Sequence, residues 1–376
     1  MKHQPGTGVN REPVWPLRSG GDIVAAPMDP DSLQAANALG AWGIRGRIVP
    51  VGGGLINRTW RVDADNGRRY ALQRVNPIFP PEVQEDIAAV TAHLRARGMF
   101  TPELVPAAGG ALCQPADPGT WRVLTWVDGT TRDALDNPAQ AREAGALLAR
   151  FHAATADLRW RFRNPRPGVH DIDRHLAGLR EALHSHAAHP RHARIEPLAR
   201  AILAASADLP ALPRTPERVV HGDPKISNLI FDARTGAGLC MVDLDTLAYM
   251  RLPLELGDAF RSWCNTSGED STAGRFDLDL FAGAVSGYAA VAAPFVTAQE
   301  YEAFVPATLT IFVELAARFC ADALAETYFG WDAGRYATRG EHNEVRAAGQ
   351  LAAARALQAV AARAGAIVRD AFSAAR

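Results

Sequence analysis

Between residues 47 and 75 apolar positions alternate with polar ones, the period of a half-buried strand. The pattern predicts three strands: Arg47–Val51, Thr59–Val62 and Arg69–Val75. The last two are joined by Asp65-Asn66-Gly67, and Asn-Gly favours a tight hairpin because both residues tolerate positive φ. The first two are joined by the loop Gly52-Gly53-Gly54-Leu55-Ile56-Asn57. After Pro80-Pro81 the period lengthens. Val83, Ile87, Val90 and Leu94 then share one helical face, and Gly98 ends the helix. A further strand runs from Trp121 to Val127 and stops at Asp128-Gly129. Upstream, Asp29 or Asp31 caps a short helix that Gly40 or Gly43 terminates.

Beyond Gly129 helical spacing dominates. It predicts helices over Pro138–Ala153, His170–His186, Arg194–Ala205 and most of Phe276–Ala374. One β-like island interrupts them, "RVVHGDPKISNLIFDARTGAGLCMVDLD", residues 218–245. The order describes an α+β, bilobal chain. A small antiparallel-sheet lobe with one main helix spans 29–127, a larger and mainly helical lobe spans 128–376, and 1–28 form a flexible N-terminal tail.

Composition narrows the function classes. The chain has 376 residues, enough for two lobes, and 48% of them are hydrophobic. A formal net charge of −1 gives no basis for binding nucleic acid or an anionic membrane. Cys113, Cys240, Cys264 and Cys320 are far apart and read as reduced thiols. The N-terminus lacks the apolar core of a signal peptide, and no apolar run is read as a membrane span, so the expected location is cytoplasmic. No oligomer interface is legible; a monomer or weak dimer is the expectation.

The chemistry concentrates in the island. His221, Gly222, Asp223, Lys225 and Asn228 lie on one loop between two apolar strand segments. A second apolar run ends in Asp243 and Asp245. Hairpin pairing would bring Asn228 to Asp243, and an amide oxygen with one or two carboxylates suits Mg²⁺. Asp223 would then face an incoming hydroxyl beside the metal.

H-G-D-P-K-I-S-N followed by D-L-D resembles the catalytic loop and metal-binding Asp of the protein-kinase-like superfamily, H-R-D-L-x-x-x-N and D-F-G. The Gly in second place and the D-x-D ending are similar to the aminoglycoside phosphotransferase and choline kinase branch. The resemblance implies an ATP- and Mg²⁺-dependent phosphotransferase. Asp223 is then the base or hydroxyl-orienting group, and Lys225 faces the transferred phosphate. Asn228 and Asp243 are metal ligands, with Asp245 assisting. Gly52, Gly53, Gly54 and Asn57 would approach the nucleotide, with Ala71 and Gln73 on the cleft face of the third strand and Thr125 and Val127 at the hinge. Gln73 stands where many kinases carry a phosphate-binding Lys, and Glu85 where they carry that lysine's partner. Glu85 reads equally as a solvated helix charge. His221 would shape the loop, and Asp258, in Gly257-Asp258, would hold it through backbone hydrogen bonds.

Segments such as "GGGLINRTWRV", "RRYALQRVNPIF" and "ARFCADALAETYF" resemble the N-acetylhexosamine kinases that phosphorylate an anomeric hydroxyl. That likeness implies a sugar acceptor contacted by Arg69, Arg318 and Tyr328. Leu55 stands where such kinases can carry His, and the segment 330–342 is longer than their pattern. An aminoglycoside or another small alcohol such as choline or homoserine is the alternative acceptor, and a nucleotide-binding pseudokinase the alternative of another class. His184, His186, His189 and His192 read as a solvated helix end, and His152 as a packing residue. Trp126, Trp263 and Trp331 read as core or as acceptor-pocket lining.

Overall fold

The computed structural model describes residues 29–52 and 56–376. The tail 1–28 and the expectations for Gly53, Gly54 and Leu55 lie outside the described residues. Helix α1 (Pro30–Leu39) is capped by Asp29, whose Oδ1 accepts the Ser32 N–H at 3.1 Å. A six-stranded antiparallel sheet follows, from β1 (Gly46–Val51), β2 (Arg58–Ala64) and β3 (Arg69–Val75). Helix α2 (Val83–Ala96) comes next, then β4 (Leu104–Val105), β5 (Gln114–Pro115) and β6 (Thr120–Thr125). The order is β1-β2-β3-β6-β4, with β5 on β6. The two-residue strands β4 and β5 carry too little pattern to be predicted, and β6 ends at Thr125, two residues earlier than expected. The β2–β3 turn differs from the expected one. Gly67 alone takes positive φ (78°), and the Ala64 N–H bonds to the Arg68 carbonyl, which makes a three-residue loop.

One face of this sheet is apolar. Trp60, Val62, Tyr70, Leu72, Trp121 and Val123 pack there with Ala35, Leu39 and Trp42. Arg74 points to the same side, toward Gln34 and Asp31 on α1 and over the Trp121 ring. The other face carries Ala71, Gln73 and Arg122. Strand alternation therefore sends Ala71 and Gln73 into the cleft as the sequence predicts.

The helical half comprises α3 (Pro138–Thr155), α4 (Ile172–Ser185), α5 (His192–Ala207), α6 (Leu252–Trp263), α7 (Leu278–Ala292), α8 (Ala298–Glu302), α9 (Phe304–Ala325) and α10 (Arg339–Ala374). Two short two-stranded antiparallel sheets interrupt it: β7 (Glu217–Val220) pairs with β10 (Ala248–Arg251), and β8 (Leu229–Phe231) with β9 (Gly238–Met241). Helices α9 and α10 are long and apolar enough to cross a membrane by length and composition, contrary to the expectation that no segment would be. Helix α9 is the buried centre of this half, packed by α4, α5, α6 and α10. Helices α3 and α7 lie backbone to backbone. A methyl group at Gly145, Gly283 or Gly287 would overlap a main-chain carbonyl of the facing helix.

Candidate active site

The loop after β7 is fixed from below. Glu255, buried on α6, accepts the N–H of His221 at 2.9 Å and of Gly222 at 3.1 Å. His221 Nε2 donates to the Val242 carbonyl at 2.8 Å, and its Nδ1 accepts the Asp223 N–H at 3.3 Å. His221 is thus a loop-shaping residue whose pKa burial pushes down. Gly222 has φ +82°, and a Cβ there would collide with the Thr246 carbonyl. Only glycine allows the two loops this contact. Trp263 is core, and its Nε1 donates to the Pro224 carbonyl at 2.8 Å.

The expectation for Asp258 is corrected. Its carboxylate binds Arg261 at 2.8 Å, and the loop's backbone is held one helical turn earlier by Glu255. Glu255 is flanked by leucines in "LELGD", and the signal was there: a carboxylate on an otherwise apolar helix is rarely buried without partners.

Asp223 meets Lys225, whose Nζ lies 2.8 Å from Oδ2. Burial opposes ionisation of Asp223, but the charges of Lys225, His221 and Arg261 hold its carboxyl below the usual range. Asn228 donates Nδ2 to the Asp223 carbonyl at 2.8 Å and to its Oδ2 at 3.2 Å, and among the described residues its amide oxygen accepts no hydrogen bond. The Val242 N–H bonds to the Asn228 carbonyl at 2.8 Å, so Asn228 and Asp243 are neighbours as predicted. Asp243 adopts φ +64°. Burial first, and Asp245 second, push its carboxyl up to about 7. A half-buried carboxylate whose neighbouring cations do not offset its desolvation is a fitting cation ligand. Among the described residues no three His, Cys, Asp or Glu side chains form a metal cluster. One carboxylate and one amide oxygen are nevertheless a donor set that Mg²⁺ accepts when phosphates fill its other positions.

Asp245 departs from its expected role as an assisting ligand. Its side chain is fully buried, and Arg122 binds both oxygens at 2.5 and 2.7 Å. Asn57 Nδ2 adds a bond at 2.6 Å and reaches Asp243 at 3.4 Å. Arg122, itself 1% exposed, also donates to Gln73 at 2.8 Å and to Gln84 at 3.1 Å. Gln84 is therefore the α2 residue that faces the site, while Glu85 forms a surface pair with Arg163. The signal for Arg122 is a lone charge in "TWRVLT", an otherwise apolar central strand.

At the hinge, Thr125 is engaged with Glu103 through both its N–H and its hydroxyl. Among the described residues Val127 makes no such backbone bond, and its side chain packs with Ile230 and Cys240. Arg69 pairs with Asp128 at the hinge end of β3. Among the described residues no hydrogen bond or ion pair joins it to Asp223, Arg318 or Tyr328.

Arg318 and Tyr328 do come together, the guanidinium 5.7 Å from the centre of the phenol ring. Arg318 also lies 3.4 Å from Glu314, a buried carboxylate that bonds His170 at 3.1 Å and lies 3.6 Å from His175. Tyr328 is 61% exposed, and its N–H is held by Asp322 at 2.9 Å. Arg166, missed in the sequence, has φ +48°. Desolvation holds its pKa down, and the charges acting on it are those of Tyr328, Asp223, Arg318 and Asp245. The long segment before α10 is tied to the α6–α7 loop by Asp270. This carboxylate binds His342 at 2.7 Å, Arg346 at 2.8 Å and Arg335 at 3.4 Å. In the histidine-rich stretch, His192 Nε2 bonds to the Leu183 carbonyl at 3.0 Å, joining α5 to the end of α4. His152 bonds Tyr288 in the core.

The arrangement brings together a cleft, an ionised Asp, a Lys and two oxygen donors, the parts that phosphoryl transfer needs. Comparison with known proteins agrees. The chain is similar to an aminoglycoside phosphotransferase from Alicyclobacillus acidocaldarius, at 18% identity and TM-score 0.54, over 91% of this chain and 99% of that one. It is similar to amicoumacin kinase hAmiN, solved with AMP-PNP, Ca²⁺ and amicoumacin, at 12% identity and TM-score 0.57, over 86% and 93%. A microcompartment-associated aminopropanol kinase matches at 16% identity and TM-score 0.56, over 89% and 99%. The model of the phosphotransferase enzyme family matches residues 47–294, about two thirds of the sequence. The chain belongs to the phosphotransferase enzyme family, whose kinases act on hydroxyl groups of small molecules.

Proposed function

We propose that this protein is an ATP- and Mg²⁺-dependent sugar kinase that phosphorylates the anomeric hydroxyl of an N-acetylhexosamine. In this reading Asp223 orients the acceptor hydroxyl and takes up its proton. Lys225 stands over the phosphoryl group in flight. The Asn228 amide oxygen and the Asp243 carboxylate hold Mg²⁺, which neutralises phosphate charge. Val127 offers backbone groups to the base, with Ile230 beneath it, and Gly52 and Asn57 flank the phosphates.

One observation supports the acceptor class. Arg318 lies over the Tyr328 ring at 5.7 Å, and Arg166 feels the charges of Tyr328, Asp223 and Arg318, so two guanidinium groups and a phenol stand on the side where the resemblance sets the sugar. A polycationic aminoglycoside would be repelled by such a wall. A sugar offers hydroxyl and carbonyl oxygens that guanidinium N–H groups can bond. Leu55, where related kinases can carry His, bears on which sugar is accepted.

The test is an ATP-consumption screen over N-acetylhexosamines, hexoses, aminoglycosides, choline and homoserine, with reducing-end detection on any sugar consumed. Turnover with an N-acetylhexosamine and loss of its reducing end is the expected result. Turnover confined to aminoglycosides or choline would overturn the acceptor assignment.

A further inference from the structure

We propose that Arg122 is a positioning residue for phosphoryl transfer, the cation that replaces in this chain the strand lysine whose place Gln73 takes, and that it acts through Asp245 on Asp243. The inference rests on the assignment of Asp243 to the metal.

Three observations carry it. The first is location. Gln73 and Arg122 are register partners on β3 and β6, and Arg122 Nε donates to Gln73 Oε1 at 2.8 Å. The Gln73 amide is held from its other end, where Nε2 donates to Thr59 at 3.0 Å. The guanidinium thus fills the space that an ammonium at position 73 would need, and two cations there would repel.

The second is burial. At 1% exposure Arg122 cannot reach a phosphate. Its remaining bonds go to both oxygens of Asp245 and to Gln84. A buried ion pair contributes little net stability over apolar side chains of the same shape, and fixing a register is its best-attested use.

The third is what the pair fixes. Asp245 lies two residues beyond Asp243 in one short turn, and Asn57 bonds both carboxylates while its Oδ1 accepts the Asn76 N–H at 2.9 Å. The sheet, the end of the glycine loop and the metal-binding turn are therefore joined through Arg122 and Asn57. In kinases that keep the lysine, the sheet contributes its cation to the phosphates directly. Here it contributes the cation to the turn that holds the metal.

The experiment compares Arg122→Gln, Gln73→Lys and the double variant, with Asp243→Asn as control. The measurements are melting temperature, kcat, KM for MgATP, and calorimetric affinities for ADP with and without Mg²⁺. Arg122→Gln is expected to weaken MgADP binding at least tenfold while metal-free ADP binding holds, and to lower kcat/KM at least tenfold. Gln73→Lys is expected to lower both melting temperature and kcat/KM. The double variant, which moves the cation from β6 to β3, is expected to regain at least tenfold in kcat/KM over Gln73→Lys. A folded Arg122→Gln protein with parental MgADP affinity and kcat/KM overturns the proposal. If Arg122→Gln does not fold, the comparison of Gln73→Lys with the double variant decides, and no gain overturns it. An active Asp243→Asn control would instead overturn the metal assignment itself, so the two failures are distinguishable.

Discussion

Glu255 holds the backbone of His221: the carboxylate on α6 accepts its N–H at 2.9 Å, and its second oxygen takes the neighbouring Gly222 N–H at 3.1 Å. Hydrogen bonds to a charged group are among the stronger ones, each worth about 1.5–3 kcal/mol. Replacing Glu255 by Gln sets an NH₂ against one of those N–H groups. The expected outcome is a loss of about 1–3 kcal/mol in chemical denaturation, with kcat falling as Asp223 loses its placement. Unchanged stability and turnover would remove Glu255 from the site's support.

In the proposed function Asp223 takes up the acceptor proton. Asp223→Asn keeps the shape and removes the base, so kcat is expected to fall by about 10²–10⁴-fold. The melting temperature should stay near the parental value, because Lys225, its charge partner, is about one third exposed and can turn to solvent. Parental turnover in a folded Asp223→Asn protein would show that another group takes the proton.

The helix pair α3 and α7 supplies a sterics test. Gly287→Ala places a methyl group against the Arg142 carbonyl. Overpacking of this kind typically destabilises by about 1–3 kcal/mol. Gly178, in the interior of α4, has open space where a methyl group would stand, with nothing within 4 Å, and Gly178→Ala is expected to stabilise by about 0.5–1 kcal/mol. Thermal melts of the two variants should move in opposite directions.

His170 gives the packing around Glu314 a pH dependence. Burial disfavours its imidazolium, but the hydrogen bond and charge of Glu314 on α9 more than offset this, and its pKa is raised above 6.5. Asp258 on α6 also favours the charged form, while Arg318 on α9 opposes it. His175 on α4 faces the same carboxylate, and burial lowers its pKa. Because the folded value for His170 lies above the unfolded one, the pair's contribution is complete below about pH 6.5 and is lost as pH rises through the folded value. The melting temperature should decline as pH rises above about 6.5, and His170→Gln should flatten that decline. Identical pH profiles for parent and variant would exclude the pair as the cause.

The sequence made the meeting of the His221–Asn228 loop with the Asp243 turn and the cleft-facing Gln73 legible, because local spacing and strand alternation determine them. Arg122, Glu255, Gln84 and Arg166 were not legible. Each acts through a partner distant in sequence, as with Asp245, 123 positions beyond Arg122. A charge inside an apolar run announces that a partner exists without saying which one. Asp245 was misplaced for the same reason: spacing set it beside Asp243, and only the fold shows that Arg122 has already bound it. Gly222 reads as a departure from the kinase pattern until the Thr246 carbonyl above it explains the missing side chain.

Asp270 has a consequence for redesign. By binding Arg335 in the stretch before α10, and His342 and Arg346 on α10 itself, it ties both to the α6–α7 loop across 65 to 76 residues of chain. A graft that exchanges the 330–342 segment for a relative's would remove two of this carboxylate's three side-chain partners, Arg335 and His342, and leave only Arg346. The two segments are therefore portable only as a two-piece cassette, and each piece transplanted alone should arrive misfitted.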